Sequence, residues 1–274
     1  MFAAMAAPVV LSALAMAWKQ RRADASWRVR RITNPRDRRI RRAIEIWQDR
    51  EIPLSSMAGE DVIRDWIRRK SRKPTEYLLV VQRRRDIAAA MWCTHYPESK
   101  ILFINYLAYD REYKEPGAVR LLIDYIVKNA HHGHFRGCTA VVFEVDRPLA
   151  DGDAKRTRMA VNRQRLFERH MRQHGLTGAT IDIDYRQPPL TPDAELVDEP
   201  LLLYAWHLVN TPAETTPEAE ARRVIEFVYD VIYGDISDTA ETYTPEQIAA
   251  FRQRLEAMKA ANLAQLAISS KHAA

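Results

Sequence analysis

The sequence has few cysteines and no disulfide pattern. Its two cysteines, Cys93 and Cys138, lie inside apolar runs, and no Cys-x-x-Cys pair occurs in the 274 residues. Disulfide-dense scaffolds and structural zinc sites both need more numerous or more closely spaced thiols. The cysteine content therefore excludes both, and it fits a protein of the reducing cytoplasm.

Clustered metal ligands are also scarce. His131, His132 and His134 lie close together near a predicted helix end, but no carboxylate or cysteine stands beside them in the sequence. Histidines favour helix C-termini because the helix dipole attracts them there. We therefore predict no metal site.

The chain lacks the long apolar runs of a polytopic membrane protein. One nearly uncharged stretch, residues 2–18, precedes the basic residues 19–22, but it is short for a spanning helix and contains Pro8. A secretory signal carries its positive charge before the apolar run, not after it. Three interpretations of residues 1–23 stay open: an interfacial or partner-binding helix, a marginal membrane anchor, and a translation start at Met16.

What the sequence does contain is an ordinary globular composition with an excess of positive charge. The hydrophobic fraction is 47%, the charged fraction 28% and the net charge +6. Residues 28–42 concentrate eight arginines, which suit phosphate groups or a solvated surface. The run has no interleaved aromatic residues for stacking on bases, so nucleic-acid binding is not expected. A basic protein associated with nucleic acid or membranes is kept as a third hypothesis.

Apolar periodicity predicts the elements of the first half of the chain. A strand at residues 27–32 is followed by two amphipathic helices. The first carries Ile40, Ile44 and Trp47 on one face, and the second carries Val62, Ile63, Trp66 and Ile67. Polar turns then separate three strands that should form an antiparallel meander, at residues 77–81, 87–96 and 101–109.

The second half alternates before its composition changes. A helix at residues 117–131 leads to a buried strand at 139–145, which implies a crossover and a parallel pair. A helix closed by Gly175 follows, and then come strands at residues 180–185 and 201–208.

A Pro/Glu/Thr linker begins near residue 211 and precedes two amphipathic helices. We predict a main domain at residues 24–210 and a helical extension at 211–274. The apolar stripe of that extension could support a homodimer.

Two segments carry a resemblance to a known family. Residues 106–122 are similar to the strand, glycine-containing loop and leucine-bearing helix of the GNAT superfamily of acyl-CoA-dependent N-acetyltransferases. Residues 143–148 and 162–176 resemble the next strand and helix of that family. The resemblance covers residues 27–210. It implies an α/β (α+β) fold with a mixed, mostly antiparallel central sheet flanked by helices, to which this chain adds a C-terminal helical hairpin.

The resemblance also implies how acetyl-CoA is held. Backbone amides at the start of a helix suit a pyrophosphate, and the cofactor-binding residues there would be Lys114, Gly117, Ala118 and Val119. The preceding strand would bind the pantetheine arm and polarise the thioester carbonyl through the backbone of Leu107, Ala108 and Tyr109. The loop departs from the family pattern, since it is one residue short and has no second glycine.

The catalytic groups are less clearly indicated. Glu144 or Asp110 could deprotonate the amine, and Glu144 is favoured because its strand borders the expected cleft. Many family members carry a tyrosine that protonates the leaving thiolate, but the matching position here is Phe167. Three tyrosines could replace it by residue type: Tyr185, Tyr204 and Tyr106.

The predicted function is transfer of an acetyl or short acyl group from acyl-CoA to an unidentified amine by direct attack. The acidic segment around residues 188–199 would suit a cationic acceptor. The main alternative is a degenerate protein of the same fold that recruits a partner through its C-terminal helices.

Overall fold

The computed structural model describes most of the chain outside its N-terminus. The described residues are 27–49, 58–69, 74–113, 117–148, 154–189, 192, 200–208, 216–234 and 243–272. The segment predicted at residues 1–23 and the proposed phosphate ligand Lys114 lie outside them.

Seven strands and six helices are formed by these residues. The strands are β1 (Arg28–Ile32), β2 (Thr75–Arg83), β3 (Asp86–Tyr96), β4 (Ile101–Tyr109), β5 (Ala140–Asp146), β6 (Gly178–Arg186) and β7 (Pro200–His207). The helices are α1 (Arg39–Gln48), α2 (Glu60–Arg68), α3 (Gly117–His132), α4 (Ala154–Gln173), α5 (Pro217–Phe227) and α6 (Pro245–His272). A π-helical turn, Val228–Ile232, extends α5.

All seven strands belong to one sheet of order β1-β2-β3-β4-β5-β7-β6. Every neighbouring pair is antiparallel except β4 and β5, which are parallel and connected through α3. The predicted meander and crossover are therefore confirmed. So is the fold class, a mixed and mostly antiparallel sheet flanked by helices.

The helices cover both faces of the sheet. One face packs against α3 and α4 in a cluster that includes Leu122, Ile126, Phe143 and Phe167. The opposite face is covered in two parts. Helices α1 and α2 lie over the β2–β4 half, and α5 and α6 lie over the β5–β7–β6 half. Burial of these apolar faces supplies the main driving force for assembling the layers. Val62, predicted on the apolar face of α2, is instead exposed, because it lies about 100° around the helix from the buried Ile63.

The C-terminal end of α4 follows its sequence signal. Gly175 has a φ of 67° after α4, and the amides of Gly175 and Leu176 bond the carbonyls of Arg172 and Met171 at 2.9 and 3.1 Å. This pattern is a Schellman motif, in which glycine adopts the left-handed conformation without steric cost. The predicted C-terminal stop of α4 is thus confirmed.

Candidate functional site

The sheet splits between its two parallel strands. Pairing of β4 with β5 ends at Ile104 and Phe143, although β4 continues to Tyr109 and β5 to Asp146. Asn105 is an extra residue opposite β3, because Trp92 pairs with Tyr106 and Cys93 with Ile104. Such a bulge increases strand twist and bends the strand. The structure therefore has an opening at the carboxyl ends of β4 and β5.

The three predicted β4 residues lie on one side of this opening. Ala108 is buried in the cluster beneath α1 and α2, whereas the side chains of Leu107 and Tyr109 pack toward α3. Their backbones pair with β3 on one edge. The other edge faces the opening, where pairing with β5 has already ended.

Helix α3 starts beside the same opening. Gly117 is its first residue, and Ala118 and Val119 are buried in the cluster that Leu107 and Tyr109 also contact. The first four backbone amides of a helix have no partner within the helix, and they carry its positive dipole end. The structure thus brings together all the predicted donor-binding residues that it describes.

Glu144 lies on β5 and faces the C-terminal helices. Its carboxylate accepts a hydrogen bond from the hydroxyl of Tyr185 on β6, and Tyr233 donates to its two oxygens at 3.0 and 3.2 Å. Tyr185 is fully buried and Tyr233 nearly so. The predicted catalytic residues Glu144 and Tyr185 are therefore in direct contact.

Tyr233 was not among the predicted site residues. It follows the apolar stripe of α5, and its only sequence signal was its position on that stripe. An aromatic residue there is most simply interpreted as part of the core. Its contact with Glu144 depends on how α5 docks on the sheet.

The surroundings of this cluster shift its titration. Burial raises the pKa of Glu144 above its ordinary value, and the hydrogen bonds from Tyr185 and Tyr233 partly oppose that rise. Burial, reinforced by the charge of Glu144, raises the pKa of Tyr185 and of Tyr233 well above the usual range. Near neutral pH both phenols keep their protons, and the carboxylate is a stronger base than an exposed one.

Asp110, the other candidate base, has structural partners. Its carboxylate pairs with the guanidinium of Arg42 and accepts the backbone N–H of Glu112 at 3.0 Å. It stands directly after β4, on the loop toward α3. These contacts hold the carboxylate against α1 and the loop.

The three tyrosines named as substitutes for Phe167 are in different places. Phe167 packs against Phe143 at 4.6 Å between ring centroids, and Phe143 stacks on Tyr204 at 5.1 Å. These rings lie on the sheet face opposite Glu144. Tyr106 accepts the backbone N–H of Ala58 at 3.1 Å, and burial raises its pKa to about 12. Of the three, only Tyr185 bonds Glu144 among the contacts described.

Some of the arginines in residues 28–42 form ion pairs with carboxylates. Arg39 pairs with Asp37 at 2.8 Å, Arg41 with Glu60 at 3.4 Å, and Arg42 with Glu45 at 3.1 Å. Three of the eight arginines are therefore paired with carboxylates.

Helix α4 also carries a concentrated positive charge, although Arg163 pairs with Asp146 and Arg172 with Glu168. It has seven basic residues and one acidic residue, and the arginines on its exposed face are Arg158, Arg165, Arg169 and Arg172. The β6 strand that follows is parallel to β5, so α4 must run back along β5. Its N-terminal end therefore lies near the opening.

The comparisons with known proteins agree with this architecture. An acetyltransferase of the GNAT family from Bacteroides thetaiotaomicron superimposes with a TM-score of 0.51 at 17% identity, covering 76% of this chain and 98% of that one. The chain therefore has the GNAT fold.

Two further solved structures align over a similar length. The diaminobutyrate acetyltransferase of Paenibacillus lautus, in complex with L-2,4-diaminobutyric acid and coenzyme A, gives a TM-score of 0.49 at 13% identity over 68% and 98% of the two chains. The ribosomal-protein-S18-alanine N-acetyltransferase of Escherichia coli gives 0.42 at 15% over 69% and 99%. No protein-family model and no curated protein matches the sequence. Among the described helices, none has the length and apolarity needed to cross a membrane.

Proposed function

We propose that this protein is an acyl-CoA-dependent N-acyltransferase, which moves an acetyl or short acyl group from the CoA thioester to an amine. The observation that carries the proposal is the opening between β4 and β5 beyond Ile104 and Phe143, with Glu144 on its β5 side. In open α/β sheets, ligands bind at the carboxyl ends of strands where neighbouring elements diverge. The GNAT fold of the chain supports this assignment.

The opening suits an extended thioester arm followed by a pyrophosphate. The β4 edge at Leu107, Ala108 and Tyr109 faces away from β3. It offers the backbone N–H and C=O groups that a neighbouring strand would otherwise bond, and an extended pantetheine arm can bond them in its place. The first turn of α3 at Gly117 presents helix N–H groups, which favour phosphate. Acyl-CoA supplies the activated acyl group, and these backbone groups bind and orient it.

The reaction needs two proton movements around one substitution. The neutral amine attacks the thioester carbonyl carbon, so that a C–N bond forms and the C–S bond breaks. We assign Glu144 to accept the proton that the amine loses and Tyr185 to give a proton to the leaving thiolate. Tyr185 then regains its proton from Glu144 through the hydrogen bond between them, which returns both groups to their starting states. A carboxylate with a raised pKa is a better base for this purpose, since catalytic efficiency rises as the pKa approaches the working pH.

Binding of the donor can be tested separately from turnover. Isothermal titration with acetyl-CoA should give micromolar affinity for the wild-type protein and none for Gly117→Glu, which places a negative side chain at the start of α3. Gly59→Glu is the matched control, because Gly59 caps α2 on the other face of the sheet. Absence of binding by the wild-type protein would contradict the proposal.

A specific observation favours a second candidate, a protein that binds acyl-CoA without turnover. Phe167 stands where many family members have the thiolate-protonating tyrosine, and its ring is packed in the core against Phe143. Thiol release from acetyl-CoA in the presence of a panel of amines separates the two candidates. Tight binding without thiol release for any amine would favour the second.

A further inference from the structure

The C-terminal helices contribute a side chain to the candidate site. Tyr233 lies at the end of the π-helical turn, 89 positions after Glu144, and donates to that carboxylate. Its hydroxyl is 3.0 Å from one carboxylate oxygen and 3.2 Å from the other. The residue is nearly buried, in the cluster formed by α5, α6 and the β5–β7–β6 half of the sheet.

The π-helical turn sets the position of this tyrosine. The amide of Tyr233 bonds the carbonyl of Val228 at 3.0 Å, five residues back rather than four. The turn is therefore one residue longer than a turn of α-helix. Such π-helical turns are often found at functional sites. Gly234 follows directly, and a Cβ atom there would lie 2.5 Å from the carbonyl oxygen of Asp230.

A second tyrosine on the same turn is held elsewhere. The hydroxyl of Tyr229 donates to Asn262 on α6 at 2.8 Å, and the amide of Asn262 donates to the carbonyl of Asp184 at 3.2 Å. These bonds fasten α5 and α6 to strand β6. Tyr229 and Tyr233 thus share burial, residue type and helical turn, but only Tyr233 bonds the carboxylate.

We propose that Tyr233 is a positioning residue, through which the C-terminal helices hold the Glu144 carboxylate in the orientation that accepts a proton from the bound amine. This inference rests on the proposed function. Tyr185 and Tyr233 approach the carboxylate from β6 and α5, so two donors fix the plane of the carboxylate. A carboxylate has about four lone-pair sites. The two tyrosine donors therefore leave carboxylate lone pairs that can accept the proton of the substrate amine.

The groups around Glu144 determine how its pKa changes when the Tyr233 hydroxyl is removed. Tyr185 and Tyr233 are hydrogen-bonded to it, and Tyr106 and Tyr229 lie near enough to sense its charge. All four are phenols, and none of the four supplies a positive charge. Removing the hydroxyl of Tyr233 should therefore raise the pKa of Glu144 further and release its side chain from one anchor.

The test compares Tyr233→Phe with the control Tyr229→Phe in the full-length protein. The pKa of Glu144 is followed by NMR of carboxyl-labelled glutamate, assigned with Glu144→Gln, and steady-state kinetics are measured against pH. For Tyr233→Phe we expect an upward shift of the Glu144 pKa, an upward shift of the acid limb of the kcat profile, and a kcat about 10- to 100-fold lower with KM for acetyl-CoA unchanged. Tyr229→Phe should shift neither profile.

Each result decides one part of the inference. An unchanged Glu144 pKa in Tyr233→Phe, or equal shifts in both variants, would overturn the positioning role whether or not the protein transfers acyl groups. A shifted pKa with unchanged kcat would overturn its part in catalysis. A third outcome is that Tyr233→Phe shifts the Glu144 pKa, but the wild-type protein binds acetyl-CoA and transfers its acyl group to no amine. That outcome would contradict the proposed function and would still support the contact between Tyr233 and Glu144.

A second substitution keeps the test valid if Tyr233→Phe does not fold. Difluorotyrosine at position 233 retains the ring and hydroxyl but makes the phenol a stronger donor. It should lower the pKa of Glu144, opposite to the effect of Tyr233→Phe. No change, or a change in the other direction, would overturn the inference.

Discussion

Arg42 on helix α1 forms an ion pair with Asp110, the residue that follows strand β4, although 68 positions separate them. The side chain of Asp110 is 4% exposed and that of Arg42 is 40% exposed. The pair fastens α1 to the end of β4 that borders the opening. A nearly buried carboxylate without its partner would be costly, because its lost hydration would no longer be replaced.

The first prediction concerns this ion pair. Arg42→Ala should lower the free energy of unfolding by about 1–3 kcal/mol, since it leaves the Asp110 carboxylate without its guanidinium. Arg41→Ala is the control, because its pair with Glu60 is mostly exposed. That variant should change the free energy by less than about 0.5 kcal/mol. Urea unfolding measures both, and equal losses would show that the Asp110 pair has no special role.

The second prediction concerns the end of α4. Gly175→Ala should destabilise the protein by about 1–2 kcal/mol, because a Cβ atom disfavours the left-handed conformation at φ 67°. Gly59→Ala, at φ −63°, provides the comparison without backbone strain, since its Cβ atom would displace only the end of the exposed Asp61 side chain, 2.6 Å away. Thermal unfolding of both variants measures the difference. A neutral Gly175→Ala would mean that the Schellman motif does not form in solution.

The third prediction tests the role of Glu144 as base. Glu144→Gln should lower the rate of acyl transfer by about 10²- to 10⁴-fold and leave acetyl-CoA binding nearly unchanged, because only the proton acceptor is lost. Asp146→Asn removes the same charge two residues along β5, from a partly exposed pair with Arg163. It should retain most of the activity. Equal activity of the two variants would remove Glu144 from the mechanism.

The fourth prediction is a dependence of stability on pH. The folded-state pKa of Glu144 is raised above the ordinary 4.5, so the folded protein binds this proton more tightly than the unfolded chain. The contribution of Glu144 is therefore fully present below pH 4.5 and is lost as the pH rises through the folded-state pKa. The stability of the wild-type protein relative to Glu144→Gln should fall over that range. Denaturant unfolding at a series of pH values measures it, and a flat difference would contradict the assigned shift.

The fifth prediction uses the basic face of α4. Arg158 and Arg172 are both exposed, but they lie about 21 Å apart along the helix, and Arg158 is nearer the opening. Screening at physiological ionic strength acts over about 8 Å. Arg158→Glu should therefore weaken acetyl-CoA binding more than Arg172→Glu, with the difference shrinking in high salt. Titration calorimetry at two salt concentrations measures this. If both substitutions weaken acetyl-CoA binding equally, α4 affects binding only through the net charge of the protein.

Local physical chemistry made several features predictable from the sequence. Alternating and helical apolar patterns gave the order of strands and helices, because each element must bury one face. The Gly175 stop was also predictable, since its hydrogen bonds involve residues only a few positions apart. The parallel β4–β5 pair followed from the helix between the strands.

Predicting the site required contacts between distant residues. The sequence indicated Glu144 and Tyr185 separately, but their hydrogen bond depends on the order β5-β7-β6, which places β7 between them. The sequence signal at Tyr233 indicated only a core residue, because its contact with Glu144 depends on the docking of α5 and on one π-helical turn. The compensation of arginines in residues 28–42 likewise depended on partners such as Glu60 and Asp110.

The sequence by itself thus determined the elements, their order and the residue types available for acyl transfer, because those depend on short-range periodicity and capping. Only the tertiary structure decided where β4 separates from β5, which phenols face the Glu144 carboxylate, and which arginines are paired with carboxylates. The first two outcomes depend on strand order and helix docking, which bring together residues 39 to 89 positions apart.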